Sequence, residues 1–141
     1  MITVEIAQDR IPKKWRFSRQ FLQKLINAFH EVLPEVKGKV HIHAVDEEEI
    51  RRLNRIHRGR DKITDVLSFP SGDLPIFGEL GDVLICYAQA ERQAEGDIAL
   101  ELTDLAVHGI LHVLGYDHEV PGDAEVMFPL QDALVGKILQ E

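Results

Sequence analysis

Apolar and polar residues alternate in two short segments of the chain, residues 2–6 and 39–45, and this period of two predicts half-buried β-strands. Two further strands are predicted at residues 64–70, which end at a proline, and at residues 79–86, which are mostly apolar. Gly81 lies within the last of these segments. A glycine inside a strand indicates a bulge or the close approach of another backbone.

The remaining segments carry apolar residues at helical spacing, and about five helices are predicted. Four of them follow side chains that favour the N-cap position: Ser18, Asp46, Asp97 and Asp123. The remaining helix is predicted at residues 87–95. Three of the helices are followed by a residue that stops helices. These residues are Pro34 after the helix that follows Ser18, Gly59 after the helix that follows Asp46, and Gly115 after the helix that follows Asp97. The buried side of the last helix is predicted to comprise Val126, Met127, Leu130, Leu134, Ile138 and Leu139.

Strands and helices do not strictly alternate along the chain. This order predicts an α+β fold in which one mixed sheet of about four strands packs against about five helices. The length of 141 residues suits one domain with a substantial core. Because no repeat or long linker divides the sequence, residues 1–141 are predicted to form a single domain.

The chain is acidic, with 16 Lys and Arg against 24 Asp and Glu, and its formal net charge is −8. Any surface that binds a nucleic acid must therefore be a local basic patch. Residues 51–62 contain such a patch, offset only by Asp61, and its six cations are Arg51, Arg52, Arg55, Arg58, Arg60 and Lys62. A run of charge is usually a solvated face, but arginine is also suited to bidentate contact with phosphate.

The single cysteine, Cys86, excludes an internal disulfide and suits a reducing cytoplasm. Its apolar neighbours predict a buried side chain rather than a nucleophile. No apolar stretch approaches the roughly 18 residues of a membrane helix, and the first residues lack the layout of a signal peptide. We therefore expect a cytoplasmic protein without a membrane association.

Three histidines near the C-terminal end have the spacing of a metal site. His108 and His112 are four residues apart, which places both imidazoles on one face of a helix. Gly115 can end that helix and allow the chain to return His118 toward them. Three converging imidazoles are a typical ligand set of catalytic zinc, with a fourth position for water or substrate. The spacing predicts one zinc ion per chain, on a zincin-like helix.

The histidines of the chain allow two other metal-related interpretations. His41 and His43 share the polar face of a predicted strand and could form a second metal site, although solvent-facing side chains are the better interpretation. The spacing of the three C-terminal histidines equals that of a metalloprotease signature, which predicts a protease-like zinc hydrolase as an alternative. However, Gly109 occupies the position of the glutamate that acts as general base in that signature.

Two motifs resemble those of the YbeY family of bacterial endoribonucleases, the rRNA maturation factors. The first is the histidine motif from His108 to His118, with its Gly-Tyr-Asp-His ending. The second runs from Asn54 through Arg58, Asp61 and Thr64 to the segment Asp-Val-Leu-Ser-Phe-Pro at residues 65–70. Residues 81–85 resemble a third, weaker motif, and the resemblance covers nearly the whole chain.

The resemblance implies a zinc-dependent endoribonuclease, specific for single-stranded RNA, that acts in 16S rRNA 3′-end maturation and ribosome quality control. The implied partners are single-stranded RNA, especially rRNA, and the small ribosomal subunit. The implied zinc ligands are His108, His112 and His118, and Arg58 is the implied catalytic arginine. A ribosome-associated binding protein with a structural zinc is a further alternative, although only three convincing ligands are found.

Several other residues are candidates for supporting roles. Arg52, Arg55, Arg60 and Lys62 are candidate RNA contacts because of their charge and their proximity to Arg58. Asp104 lies one helical turn before His108 and could orient an imidazole, although an exposed helix aspartate is an equally good interpretation. Two nucleophiles remain open, namely water activated by the metal and the RNA 2′-hydroxyl.

Overall fold

The computed structural model describes residues 2–70, 79–117, 119 and 121–139. Its four strands are β1 (Ile2–Ala7), β2 (Gly38–Val45), β3 (Val66–Pro70) and β4 (Glu79–Cys86). They form one mixed sheet in the order β1-β2-β4-β3. The pairs β1–β2 and β2–β4 are parallel, and β3 runs antiparallel to β4 at the edge. The predicted mixed sheet of four strands is confirmed.

The other regular elements among the described residues are one 3₁₀ turn and five α-helices. The 3₁₀ turn is Lys13–Trp15. The helices are α1 (Arg19–Val32), α2 (Glu47–Arg58), α3 (Tyr87–Gln93), α4 (Ile98–Val113) and α5 (Pro121–Leu139). The α+β class and the number of helices therefore agree with the prediction. None of the described helices is both long enough and apolar enough to cross a membrane.

Three of the four predicted N-caps are confirmed by hydrogen bonds. The side chains of Ser18, Asp46 and Asp97 each accept a hydrogen bond from the backbone N–H three residues later. The fourth, Asp123, is wrong, because α5 already begins at Pro121 and Asp123 lies in its first turn. Proline is favoured at the first helical position, where its missing N–H costs nothing.

The sheet has a different hydrophobic cluster on each face. Side chains at alternate strand positions, including Val40, Ile42 and Val83, pack with α1, α4 and α5 in the larger cluster. On the opposite face Ile50 of α2 packs with a smaller set that contains Leu67, Leu84, Cys86 and Ala88. Cys86 is fully buried, as predicted, and burial raises the pKa of its thiol. The helix α2 is thereby fixed next to the end of the sheet where β3 begins.

The predicted buried side of α5 is partly wrong. Met127, Leu134 and Ile138 are buried, and Leu130 is half-buried. Val126 and Leu139 are instead 58% and 43% exposed. The apolar stripe of α5 is therefore narrower than its composition indicated, and it continues through a polar residue, Gln131, between Met127 and Leu134.

Two glycines allow α4 to lie directly against the β3–β4 edge. At Gly81, with φ of 154°, an added Cβ would lie 2.5 Å from the Phe69 carbonyl oxygen. The pairing of β2 and β4 also shifts register next to it, which confirms the bulge predicted there. At Gly109 of α4, an added Cβ would lie 2.5 Å from Cγ1 of Val83. Side chains at these positions would separate the helix from the sheet.

We predict that Gly109→Ala lowers the free energy of unfolding by about 1–3 kcal/mol, the usual cost of overpacking a core. Gly136→Ala is the matched control, because Gly136 lies in α5 and an added Cβ there would meet nothing within 4 Å. This control should raise stability by roughly 0.5–1 kcal/mol through helix propensity. Urea unfolding measures the free energy of unfolding of both variants. Equal stabilisation by the two substitutions would contradict the close packing of Gly109 against the sheet. Adding Val83→Ala to Gly109→Ala should recover part of the loss.

Candidate metal and substrate site

Two of the three predicted metal ligands lie side by side at the C-terminal end of α4. His108 and His112 are both half-buried, and their Nε2 atoms are 2.9 Å apart. Two nitrogen ligands of one tetrahedral zinc ion lie roughly 3.4 Å apart, given Zn–N distances of about 2.0–2.1 Å. The two imidazoles therefore fit a shared cation after a small adjustment of their side chains.

The hydrogen bond on the other side of His108 identifies its tautomer. Nδ1 of His108 lies 2.9 Å from Oε1 of Gln131 in α5. Because an amide oxygen only accepts hydrogen bonds, Nδ1 is the donor and carries the hydrogen. In the neutral imidazole Nε2 then has the lone pair, and it lies 2.9 Å from Nε2 of His112. This tautomer is the one that binds a metal through Nε2.

Asp104 lies one helical turn before His108, and Gln131 lies between the two side chains. The Gln131 side chain hydrogen-bonds the Asp104 carboxylate. Burial raises the pKa of Asp104 above its ordinary value, and the hydrogen bond from Gln131 partly opposes this effect. Gln131 is a site residue that was not predicted from the sequence. The available signal was a single polar residue in the apolar stripe of α5.

His118, the third predicted ligand, lies outside the described residues. Among the residues described, no group of three or more His, Cys, Asp and Glu side chains could hold a metal ion. Gly115 has a φ of 101°, and α4 ends two residues before it. The predicted end of the helix ahead of His118 is therefore confirmed, while its role as a ligand stays a prediction.

The end of α2 is held in place by a buried asparagine. Asn54 is 3% exposed, and its Nδ2 donates to the carbonyl oxygen of Lys62 over 2.9 Å. The backbone carbonyl oxygen of Asn54 accepts a hydrogen bond from the backbone N–H of Arg60 at 3.3 Å. Gly59 ends the helix in a left-handed conformation. The turn that carries Arg60 and Lys62 is thereby tied to the helix that carries Arg58.

Ser68 of β3 joins the arginine helix to the histidine helix. Its carbonyl oxygen accepts from Nη2 of Arg58 at 3.3 Å, and its hydroxyl donates to the carbonyl oxygen of Gly109 at 3.0 Å. Arg58 is fifty positions before His108 in the sequence, and this strand brings both to one region. The two motifs found in the sequence are therefore adjacent in space.

Both motifs line one open cleft with a volume of about 1150 Å³. Arg58, His108 and His112 are on its walls, and Arg60 and Lys62 join them. The cleft is also lined by the aromatic side chains of His57, Phe69 and Tyr116. The rings of His57 and Phe69 are in edge-to-face contact, with centroids 5.1 Å apart. The cleft thus combines cations, imidazoles and aromatic surface.

The other predicted RNA contacts lie elsewhere on α2. Arg52 and Arg55 are exposed and are outside the described lining of the cleft, and Arg52 forms an ion pair with Glu49 at 3.0 Å. Arg51 binds Asp61 through a hydrogen bond that lowers the pKa of that carboxyl, so Asp61 stays ionised beside it. The basic patch therefore has one part in the cleft and one part beside it.

His41 and His43 lie on the exposed face of β2, with ring centroids 6.3 Å apart. Nε2 of His41 lies 3.2 Å from Glu79, and Nε2 of His43 lies 2.8 Å from Asp82. Each imidazole thus pairs with a carboxylate of the neighbouring strand. These contacts agree with solvent-facing strand residues, and within the described residues the pair forms no metal site.

The chain is similar over its length to proteins of one family. A family model described as Endoribonuclease YbeY matches residues 3–139. The Endoribonuclease YbeY of Sulfurihydrogenibium sp. (strain YO3AOP1) is 40% identical and aligns with 100% of this chain and 93% of its own length. That of Myxococcus xanthus (strain DK1622) is 48% identical over 66% of this chain and 34% of the longer protein.

A solved structure has the same overall arrangement. The solution structure of TM1509 from Thermotoga maritima is 28% identical to this chain, with a TM-score of 0.61. The match covers 98% of this chain and 89% of that protein. The similarity in fold therefore extends across both motifs that line the cleft.

Proposed function

Because the chain belongs to the endoribonuclease YbeY family, we propose that it is a zinc-dependent endoribonuclease that cleaves single-stranded RNA. The observation that carries this proposal is that Arg58, His108 and His112 line the same cleft. An arginine suits a phosphate, and imidazoles suit zinc. The cleft therefore combines a group that can hold a phosphate with two of the imidazoles that can hold a metal.

Each cleft residue has a proposed part in the reaction. Arg58 holds the non-bridging oxygens of the phosphate and stabilises the charge that develops on them. Arg60 and Lys62 contact neighbouring phosphates along the strand. His108 and His112, with His118, would hold the zinc ion. When bound, zinc supplies positive charge and lowers the pKa of a coordinated water toward about 7.

The aromatic lining supports a single-stranded substrate. Unstacked bases can lie on aromatic side chains, whereas the bases of a duplex are already stacked on each other. The His57–Phe69 pair and Tyr116 offer such surfaces beside the cations of the cleft. An extended strand can thus place a phosphate near Arg58 while its bases contact these rings.

We also propose a cytoplasmic location and a role in rRNA processing, namely 16S rRNA 3′-end maturation and ribosome quality control on the small ribosomal subunit. Support comes from family membership and from a buried cysteine without a disulfide. The alternative of a metalloprotease is disfavoured by Gly109. A glutamate in its place would bring Cβ to 2.5 Å from Val83 of the sheet.

The proposal is tested by comparing substrates of one sequence. A labelled single-stranded RNA, the same RNA in a duplex and the matching single-stranded DNA are incubated with zinc-loaded protein under single-turnover conditions. We expect cleavage of the single-stranded RNA and little cleavage of the duplex. Failure to cut the single-stranded RNA, or equal cutting of the duplex, would contradict the proposal.

RNA affinity should depend on salt mainly through the cations of the cleft. The logarithm of the binding constant should fall with the logarithm of salt concentration at about −0.7 per phosphate contacted. The double substitution Arg60→Gln, Lys62→Gln should reduce this slope by about 1.4. The matched control Arg51→Gln, Arg52→Gln should change it less, because both arginines already pair with carboxylates. Equal slopes for the two doubly substituted proteins would place the RNA outside the cleft.

A further inference from the structure

Gln131 is a polar side chain on a face of α5 that is otherwise apolar. It follows Met127 by four positions and precedes Leu134 by three, so all three share one side of the helix. Met127 and Leu134 are fully buried. The helices α4 and α5 pack against each other. Gln131 contacts two polar residues of α4 that are one turn apart, His108 and Asp104.

The two ends of the Gln131 amide have different partners. Its Oε1 accepts from Nδ1–H of His108 over 2.9 Å, and the side chain also hydrogen-bonds the Asp104 carboxylate. A carboxylate only accepts, so the amide NH₂ must point to Asp104. The amide oxygen is thereby directed to His108, and the opposite orientation would place oxygen against carboxylate.

We propose that Gln131, oriented by Asp104, is a positioning residue that holds His108 in the Nδ1–H tautomer and directs its Nε2 toward the metal position. The inference rests on the proposed function, since it takes His108 to be a zinc ligand. Ligand histidines commonly donate their second ring N–H to a fixed acceptor. In this protein the acceptor comes from another helix, so the packing of α5 on α4 shapes the site.

The orientation of the amide matters because an imidazole has two tautomers. If Gln131 were absent, Nδ1–H of His108 would lose this acceptor, and the ring could carry its hydrogen on Nε2 or rotate. Either change must be reversed before Nε2 binds a cation. Loss of such an outer hydrogen bond typically weakens metal affinity by about 10- to 100-fold. The fold itself should be little affected, because Gln131 is only half-buried.

The first experiment uses the full chain with Gln131→Ala, and Gln23→Ala serves as the control. Gln23 is an exposed helix glutamine whose amide bonds Asn27. Zinc affinity is measured by competition with a chelating dye, and urea unfolding of the metal-free protein reports the fold. We expect Gln131→Ala to bind zinc about 10- to 100-fold more weakly, with an unchanged urea midpoint. Gln23→Ala should behave as wild type in both measurements.

The second measurement determines the tautomer of His108 in the metal-free protein. In ¹⁵N-labelled, metal-free protein at mildly alkaline pH, the nitrogen chemical shifts of the imidazole distinguish Nδ1–H from Nε2–H. The wild type should show His108 protonated at Nδ1, and Gln131→Ala should lose this preference. An unchanged tautomer together with an unchanged zinc affinity would overturn the inference.

A charge-swapped pair keeps the test sharp if Gln131→Ala folds poorly. Gln131→Glu supplies a carboxylate that accepts from Nδ1–H, and Asp104→Asn supplies an amide that donates to it. The doubly substituted protein should keep the tautomer and the zinc affinity, and a loss of both would count against the proposed hydrogen-bond order.

His112→Ala distinguishes a failure of the proposed metal site from a failure of the inference about Gln131. If it retains full zinc affinity, the proposed metal site fails, whereas the inference alone fails if only Gln131→Ala has no effect.

Discussion

Replacing His112 with alanine is expected to abolish both zinc binding and RNA cleavage. The substitution removes one of two imidazoles whose Nε2 atoms lie 2.9 Å apart. The remaining ligands would then hold zinc too weakly to survive purification, since a catalytic site normally has only three protein ligands. The measurement is zinc content by elemental analysis together with single-turnover cleavage of a single-stranded RNA.

His30→Ala is the matched control for this substitution. His30 lies exposed in the last turn of α1, and it is not part of the cleft lining described above. We expect it to retain one zinc per chain and the wild-type rate. If His112→Ala kept stoichiometric zinc and cleaved normally, the assignment of this histidine to the metal would be wrong.

Arg58→Ala should separate catalysis from metal binding. The guanidinium lies on the cleft wall, where Ser68 accepts one of its hydrogen bonds, and Arg58 itself is exposed at the end of α2. Its loss should therefore change stability by no more than about 0.5 kcal/mol, as for most surface substitutions. Cleavage should fall by about 100-fold or more, the effect of removing a major donor to the transition state. Zinc content should stay at the wild-type value.

Two further substitutions make the Arg58 prediction specific. Arg58→Lys should restore little activity, because an ammonium group cannot reproduce the bidentate contact of a guanidinium. Arg51→Ala, on the same helix, removes an arginine that is paired with Asp61, and it should leave cleavage close to the wild-type rate. Full cleavage by Arg58→Ala would exclude this residue from the mechanism. Loss of zinc in Arg58→Ala would indicate a structural role.

Local features of the fold were predictable because their causes are local. The caps at Ser18, Asp46 and Asp97 each involve a side chain and a backbone N–H three residues away, and such pairs are visible in the sequence. The start of α5 was predicted incorrectly because Pro121 and Gly122 also suit a turn. Proline is compatible with either state, and the surrounding structure selected the helix.

The site was predictable only in part, because some of its contacts are local in sequence and others depend on how distant segments pack. The spacing of His108 and His112 placed both on one helical face, and the structure confirms that placement. The role of Gln131 depends on how α5 packs against α4, and no local pattern specifies that contact. The absence of a side chain at Gly109 also has a cause distant in sequence, since Val83 of β4 occupies the space.

The central claim is that one zinc ion and Arg58 act together in one cleft on RNA. It is tested most directly by titrating metal-depleted protein with zinc while following the single-turnover cleavage of a single-stranded RNA. We predict that depletion abolishes cleavage and that activity returns in proportion to bound zinc, reaching its maximum at one zinc per chain. Full cleavage by the metal-free protein, or zinc that binds stoichiometrically without restoring cleavage, would contradict the proposed mechanism.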